Sequence, residues 1–100
     1  GVRIDEPAAD LPVALAIASA ARRRPVRDGL AAFGEIGLTG RLRPAAQAER
    51  RLEECGKLGL ARALVPEGTK SRGKLALLKA ETLRKALGAG LDERGTEEAD

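Results

Sequence analysis

Apolar positions recur along this chain in distinct rhythms, and each rhythm predicts an element. From Pro7 to Ala21 nearly every position is small and apolar, broken by Asp10. A helix that is apolar on all sides belongs inside a protein, so this stretch predicts a buried helix. Pro12 has no amide hydrogen and is tolerated only in a first turn, so the helix must begin close to it. Arg22, Arg23 and Arg24 then place positive charge at the negative end of the helix dipole, and Pro25 stops the helix. The triplet reads as a capping and surface feature.

A shorter apolar run, Leu30 to Phe33, predicts a buried strand. Gly34, Gly37 and Gly40 punctuate a turn before a second short strand near Arg41, Leu42 and Arg43, closed by Pro44. The rhythm then changes. Ala45, Ala48, Leu52, Cys55 and Leu58 follow one another at steps of three or four, the spacing of one helical face. Glu49, Arg50, Arg51, Glu53, Glu54 and Lys57 fill the opposite face, and Gly59 ends the helix in a left-handed position. Two further strands are predicted at Ala61 to Val65 and Lys74 to Ala80, joined as a hairpin by the polar loop Pro66 to Gly73. Thr82 caps a last helix that turns Leu83, Ala86, Leu87 and Leu91 inward. The expected fold is an α+β or layered α/β domain over residues 1–91, followed at 92–100 by a charged tail too poor in apolar residues to fold.

Composition narrows the function classes. One hundred residues, 43% apolar and 33% charged, suit one globular module. The chain opens on Gly1 and contains no methionine, so it is expected to be a processed or excised piece of a longer protein. No apolar run approaches the roughly 20 residues of a membrane span, and no signal-type segment opens the chain, so a soluble, cytoplasmic protein without a membrane partner is expected. One cysteine and no histidine leave no internal disulfide and no zinc ligand set, so no cofactor or metal is expected within this chain. The net charge of +3 hides an asymmetry: residues 41–91 carry twelve basic and five acidic groups, whereas residues 92–100 carry one and five. A basic middle suits an anionic partner. With Phe33 the only aromatic residue, nucleic acid would be held through phosphates rather than by base stacking.

Three features invite a chemical reading. Gly68 to Lys74 has the spacing of a phosphate-binding loop as far as its lysine, but Leu75 stands where that loop needs a hydroxyl for magnesium, and a strand comes next in place of a helix. The loop instead offers Lys70, Arg72 and Lys74 as candidate DNA contacts. Ser19 and Ser71 are the only serines, and neither has a neighbouring base to activate it. Cys55 lies on the inward face of its helix, where a small apolar residue fits.

Two stretches, GVRIDEPAADLPVALAIASA (1–20) and AAFGEIGLTGRLRPAAQAERRLEECGKLG (31–59), with RALVP (62–66) as the next strand, resemble the Lon-type proteolytic domain. Within it they resemble the version at the C-terminus of the RadA (Sms) family of bacterial recombination and repair proteins. The resemblance implies a piece of a Lon-protease-like domain, of the ribosomal protein S5 domain 2-like class. Lon-type enzymes use a serine in a Gly-Pro-Ser-Ala-Gly motif and a lysine in a Pro-Ile-Gly-Gly-Leu-Lys motif. Here Glu6-Pro7-Ala8-Ala9-Asp10 puts Ala8 at the nucleophile position, and Pro44 to Glu49 puts Glu49 at the position of the base. A methyl group cannot attack a carbonyl, and a carboxylate does not replace the lysine, so the resemblance implies a domain that is not an enzyme.

It further implies a parent ATPase, DNA-dependent, with ATP, magnesium and a zinc finger held outside this chain. That parent would form a hexameric ring, bind DNA, promote branch migration and have RecA as a partner. This chain would be the assembly and DNA-contacting module. Two alternatives remain: the Lon-like domain of a magnesium-chelatase-related competence protein, favoured by Asp10-Leu11-Pro12-Val13-Ala14-Leu15, and a Lon-type Ser/Lys peptidase.

Overall fold

A computed structural model of the chain describes residues 7–70 and 75–92. A 3-10 turn, Pro7–Ala9, leads into α1 (Asp10–Arg22); next come β1 (Leu30–Ala32), β2 (Glu35–Ile36), β3 (Leu42–Arg43), α2 (Ala48–Lys57), β4 (Arg62–Pro66), β5 (Ala76–Ala80) and α3 (Leu83–Gly90). Strands β1, β4 and β5 form a parallel sheet with β4 in the centre, and β2 and β3 form a separate antiparallel ribbon.

Alternation along β4 divides the core. Leu64 points to one face, where Leu11, Leu15, Leu42, Ala80, Ala86 and Leu91 enclose it; Ala63 and Val65 point to the other, against Ala8, Phe33, Ala45 and Leu52. Helices α1 and α3 therefore cover one face of the sheet and α2 the other. A strand buried on both sides reads as a continuous apolar run, as Ala63 to Pro66 does. Of the two expected layerings, the parallel sheet with helices on both faces is the α/β one.

The caps obey local chemistry. Helix α1 has no side-chain N-cap; its Leu11 amide donates to the Gly34 carbonyl at 3.1 Å, and the Asp10 carboxylate accepts from the Ile36 amide at 3.0 Å. Pro12 sits in the first turn, as expected. At the far end Arg23 adopts a left-handed conformation (φ 52°), unusual for a residue with a Cβ, and its amide donates to Ser19. Thr82 caps α3 through Oγ1, which accepts from the Lys85 amide at 3.2 Å. The other end of α3 is held by arginines: Arg27 Nε donates to the Ala89 carbonyl at 2.8 Å and Arg24 Nε to that of Asp92 at 2.9 Å. The Ala89 carbonyl is one that a helix end leaves unpaired, where positive charge is also favoured by the dipole, and the Asp92 carbonyl lies just past the helix.

Four expectations need correction. The connection from β4 to β5 is not a hairpin, because the two strands are parallel, with Arg62 opposite Ala76 and Pro66 opposite Ala80. A polar, glycine-flanked loop between two apolar runs looks the same in sequence for either direction. The direction is fixed by two hydrogen bonds just beyond β5: the Leu42 amide donates to Glu81 and the Leu83 amide to Gly40, both at 2.8 Å. The end of β5 must therefore lie beside the ribbon that leaves the end of β1. Helix α1 is not buried all round, since Val13 is 37% and Ile17 66% exposed and only Leu11 and Leu15 are buried. Leu58 is not on the inward face of α2; it lies past the last turn and is 77% exposed. Strand β2 stands where the glycine pattern predicts only a turn, because two residues are too few to show alternation.

Gly34 marks the closest approach in the fold. A Cβ built there would lie 2.7 Å from Cγ of Pro66, a ring atom that cannot swing away, so only glycine lets β1 turn towards α1 at this point.

Candidate functional site

Ala8, at the position where a nucleophile would stand, is buried at 3% exposure and packs with Phe33, Ala45, Leu52, Ala63 and Val65. Its carbonyl accepts from the Gly34 amide at 3.0 Å, which ties the turn before α1 to the exit of β1. Ala48, the neighbour of Glu49, packs against this same cluster. The fold thus brings the surroundings of Ala8 and Glu49, the two positions to which the resemblance points, to one side of the sheet. What meets there is an alanine methyl and the first turn of α2.

Glu49 itself is half-buried and opens on a cleft of about 540 Å³ between the start of α2 and the segment after β4. Gln47, Arg50, Glu53, Gly68, Thr69 and Lys70 also line it. Lys70, a candidate DNA contact, is exposed at its rim; Arg72 and Lys74, the other two, lie outside the described residues, as do Ser71, Glu6 and the tail 93–100. Two acids and two bases line the cleft, so Lys70 does not sit in a uniformly positive field there. Thr69 is 2% exposed, and its buried hydroxyl has no hydrogen-bond partner among the described residues. Nothing in the sequence pattern distinguishes this threonine, because its burial depends on how the segment after Gly68 packs.

Other candidate nucleophiles are poorly placed. Cys55 is half-buried, and burial, with a smaller contribution from the Glu54 carboxylate, pushes its thiol above the ordinary range and favours the inert form. Ser19 is half-buried late in α1, where its carbonyl accepts from the Arg23 and Arg24 amides. Among the described residues no group of three or more His, Cys, Asp or Glu side chains is arranged to hold a metal ion, and no helix is long and apolar enough to cross a membrane.

Sequence reasoning passed over one feature. The β2 to β3 ribbon carries Leu38, fully exposed at its tip, which lines a shallow depression with Gly37, Thr39, Arg41 and Arg43. A cross-strand ion pair along the ribbon, Arg43 to Glu35 at 3.7 Å, joins an exposed arginine to a half-buried glutamate and adds little stability. The three glycines were legible as turn signals, but the exposure of Leu38 was not, since an isolated leucine between turn residues reads equally well as core.

These features define a small α/β domain with a parallel sheet, in which Ala8 forms part of the core and Glu49 lines a mixed-charge cleft. Residues 2–69 match the ChlI family, described as Subunit ChlI of Mg-chelatase, so the chain belongs to that family. Its relatives carry the name DNA repair protein RadA: 38% identity over 97 residues in Listeria monocytogenes, 39% over 85 in Haemophilus influenzae and 46% over 68 in Synechocystis. These alignments cover 93%, 85% and 68% of the chain but only 21%, 19% and 14% of the relatives, so the chain spans about a fifth of their length or less. The expected resemblance to the RadA family is thereby met.

Proposed function

We propose that the chain is a Lon-protease-like domain without peptidase activity, serving as the assembly and DNA-contacting module of an ATP-dependent protein of DNA repair and recombination that promotes branch migration. The observation that carries this reading is the similarity to DNA repair protein RadA at 38–46% identity, in a chain whose nucleophile position is the buried Ala8. In this reading ATP, magnesium and zinc are bound by other parts of the parent protein, which works in the cytoplasm as a hexameric ring with DNA and RecA as partners. The ChlI match over residues 2–69 favours a second reading, the corresponding domain of a magnesium-chelatase-related competence protein. An ATPase preceding this domain supports the first reading, and one placed after it supports the second.

No peptide hydrolysis and no labelling by a serine-reactive phosphonate are expected. Ala8→Ser alone is expected to stay inactive, because Glu49 still stands where the base is needed. Labelling of Ser19 or Ser71 that disappears when that serine becomes alanine would overturn this expectation.

The DNA contact is tested by titrating duplex DNA at several salt concentrations. Binding through Lys70, Arg72 and Lys74 is insensitive to sequence and falls steeply with salt, because each neutralised phosphate releases counterions. Replacing all three by alanine is expected to weaken binding and flatten the slope of log affinity against log salt by up to about 2.7, at about 0.9 per lost contact. Removing residues 92–100, which carry five acidic groups and one basic group, is expected to strengthen binding. An unchanged affinity and slope in the triple variant removes these residues from the interface.

A further inference from the structure

Thr69 is the buried polar group for which the rest of the fold has no use. It is 2% exposed, and its hydroxyl has no hydrogen-bond partner among the described residues. An unpaired buried hydroxyl destabilises a fold, so one that is kept points to a partner supplied by a ligand. Thr69 lines the cleft of about 540 Å³ between the start of α2 and the segment after β4. No hydrogen bond among the described residues holds the hydroxyl inward, and one rotation about χ1 exchanges it with the methyl group, so a ligand in the cleft can claim it.

The other wall of the cleft supplies donors. Helix α2 opens without a capping side chain: the Arg51 amide donates to Gln47 at 3.1 Å, and the amides of Ala48 and Arg50, in the turn before it, have no partner among the described residues. Gln47 is left-handed (φ 57°) and Ala48 helical, a succession that turns neighbouring amides towards one concavity of the kind that binds anions. The helix dipole adds positive potential at the same end. Arg50 and Lys70, both exposed, line the cleft as well. Amides, a hydroxyl and two cations together fit an oxyanion. Glu49 and Glu53 also line the cleft, and they set a condition on it. A carboxylate repels an anion that has no proton but accepts a hydrogen bond from one that keeps a proton. A phosphate monoester, whose second pKa is about 6, can keep a proton for that bond, whereas sulfate and the diester backbone of DNA have none to offer.

We infer that this cleft binds a phosphate monoester group, held by the Ala48 and Arg50 amides, the Thr69 hydroxyl and Lys70, with the protonated oxygen of the phosphate donating to Glu53. The site goes beyond the DNA reading above, whose contacts are with backbone diesters. Titration of the chain with inorganic phosphate in slightly acidic buffer is expected to shift the amide resonances of Ala48, Arg50 and Thr69 saturably, and sulfate at equal ionic strength is expected to bind about tenfold more weakly. Thr69→Val, of nearly the same shape, is expected to weaken phosphate binding about fivefold, as the loss of one hydrogen bond does, without lowering the melting temperature, since the hydroxyl it removes is unpaired. Glu53→Gln is expected to let sulfate bind nearly as well as phosphate. A second titration separates the sources of such a group. A duplex with phosphate-terminated ends that binds more tightly than a hydroxyl-terminated one, in the unaltered chain but not in Thr69→Val, assigns the site to DNA ends; equal affinities assign it to small phosphorylated molecules. No saturable shift with phosphate, equal binding of sulfate by the unaltered chain, or undiminished phosphate binding in Thr69→Val overturns the site and leaves the DNA reading standing.

Discussion

Replacing Leu64 by alanine is expected to destabilise the domain by about 3–5 kcal/mol, towards the upper end for a buried leucine. Leu64 is fully buried in the central strand, between its parallel neighbours Ala32 and Leu78 and under Leu11, Leu15, Ala86 and Leu91. The cost of such a change depends on whether the surroundings can collapse into the space. Here they have little with which to do so: Gly90 packs against Leu64 so closely that a Cβ at that position would lie 2.9 Å from Leu64 Cδ2 and 2.8 Å from Leu15 Cδ2. A glycine has no side chain to move into the void, and the flanking Ala32, Ala80 and Ala86 are too short. A domain of this size is stable by only about 5–15 kcal/mol, so the variant loses a large share of the total, and its melting temperature falls by roughly 10–20 °C. Thermal melting followed by circular dichroism checks this, with the exposed neighbour Arg62→Ala as the reference. Equal midpoints for the two variants would show that β4 is not the central, doubly covered strand.

Leu52→Ala, on the opposite face of the sheet, is expected to cost about 2–4 kcal/mol. Leu52 is 2% exposed and is the only fully buried residue of α2, so this one side chain carries most of the attachment of that helix to Ala63 and Val65. The two partly buried residues beside it, Ala48 and Cys55, are small. Leu58→Ala, six residues later and 77% exposed, is expected to change stability by less than about 0.5 kcal/mol. Urea midpoints for the pair decide the question: the expected separation is about one to three tenfold steps in the folding equilibrium. Because α2 positions Glu49, Arg50 and Glu53, Leu52→Ala should also loosen the mixed-charge cleft, whereas Leu58→Ala should leave it intact.

That pair of leucines also shows how far local pattern reaches. Spacing by three and four puts Ala48, Leu52 and Cys55 on one face correctly, because side-chain direction in a helix is set by its pitch alone. It fails at Leu58 because the helix stops at Lys57, and beyond the last turn the pitch no longer governs where a side chain goes. Capping was legible for the same local reason. Thr82 and the first-turn Pro12 act on amides within a few residues of themselves. The left-handed Arg23 and Gln47 were not legible, since neither is a residue that favours that conformation.

The sequence by itself determined three helices, most of the strands and the inward residues of α3, each a consequence of interactions within a turn or two of chain. Tertiary structure alone decided the rest. Strand direction between β4 and β5 came from the hydrogen bonds that tie the end of β5 to a ribbon some forty residues earlier in the chain. Exposure along α1 was decided by how many neighbours the sheet could supply: α3 and the sheet cover Leu11 and Leu15, and nothing among the described residues buries Ile17. Periodicity reports which residues share a face. Whether that face is covered is settled by elements far away in sequence, and so it lies outside the reach of any local pattern.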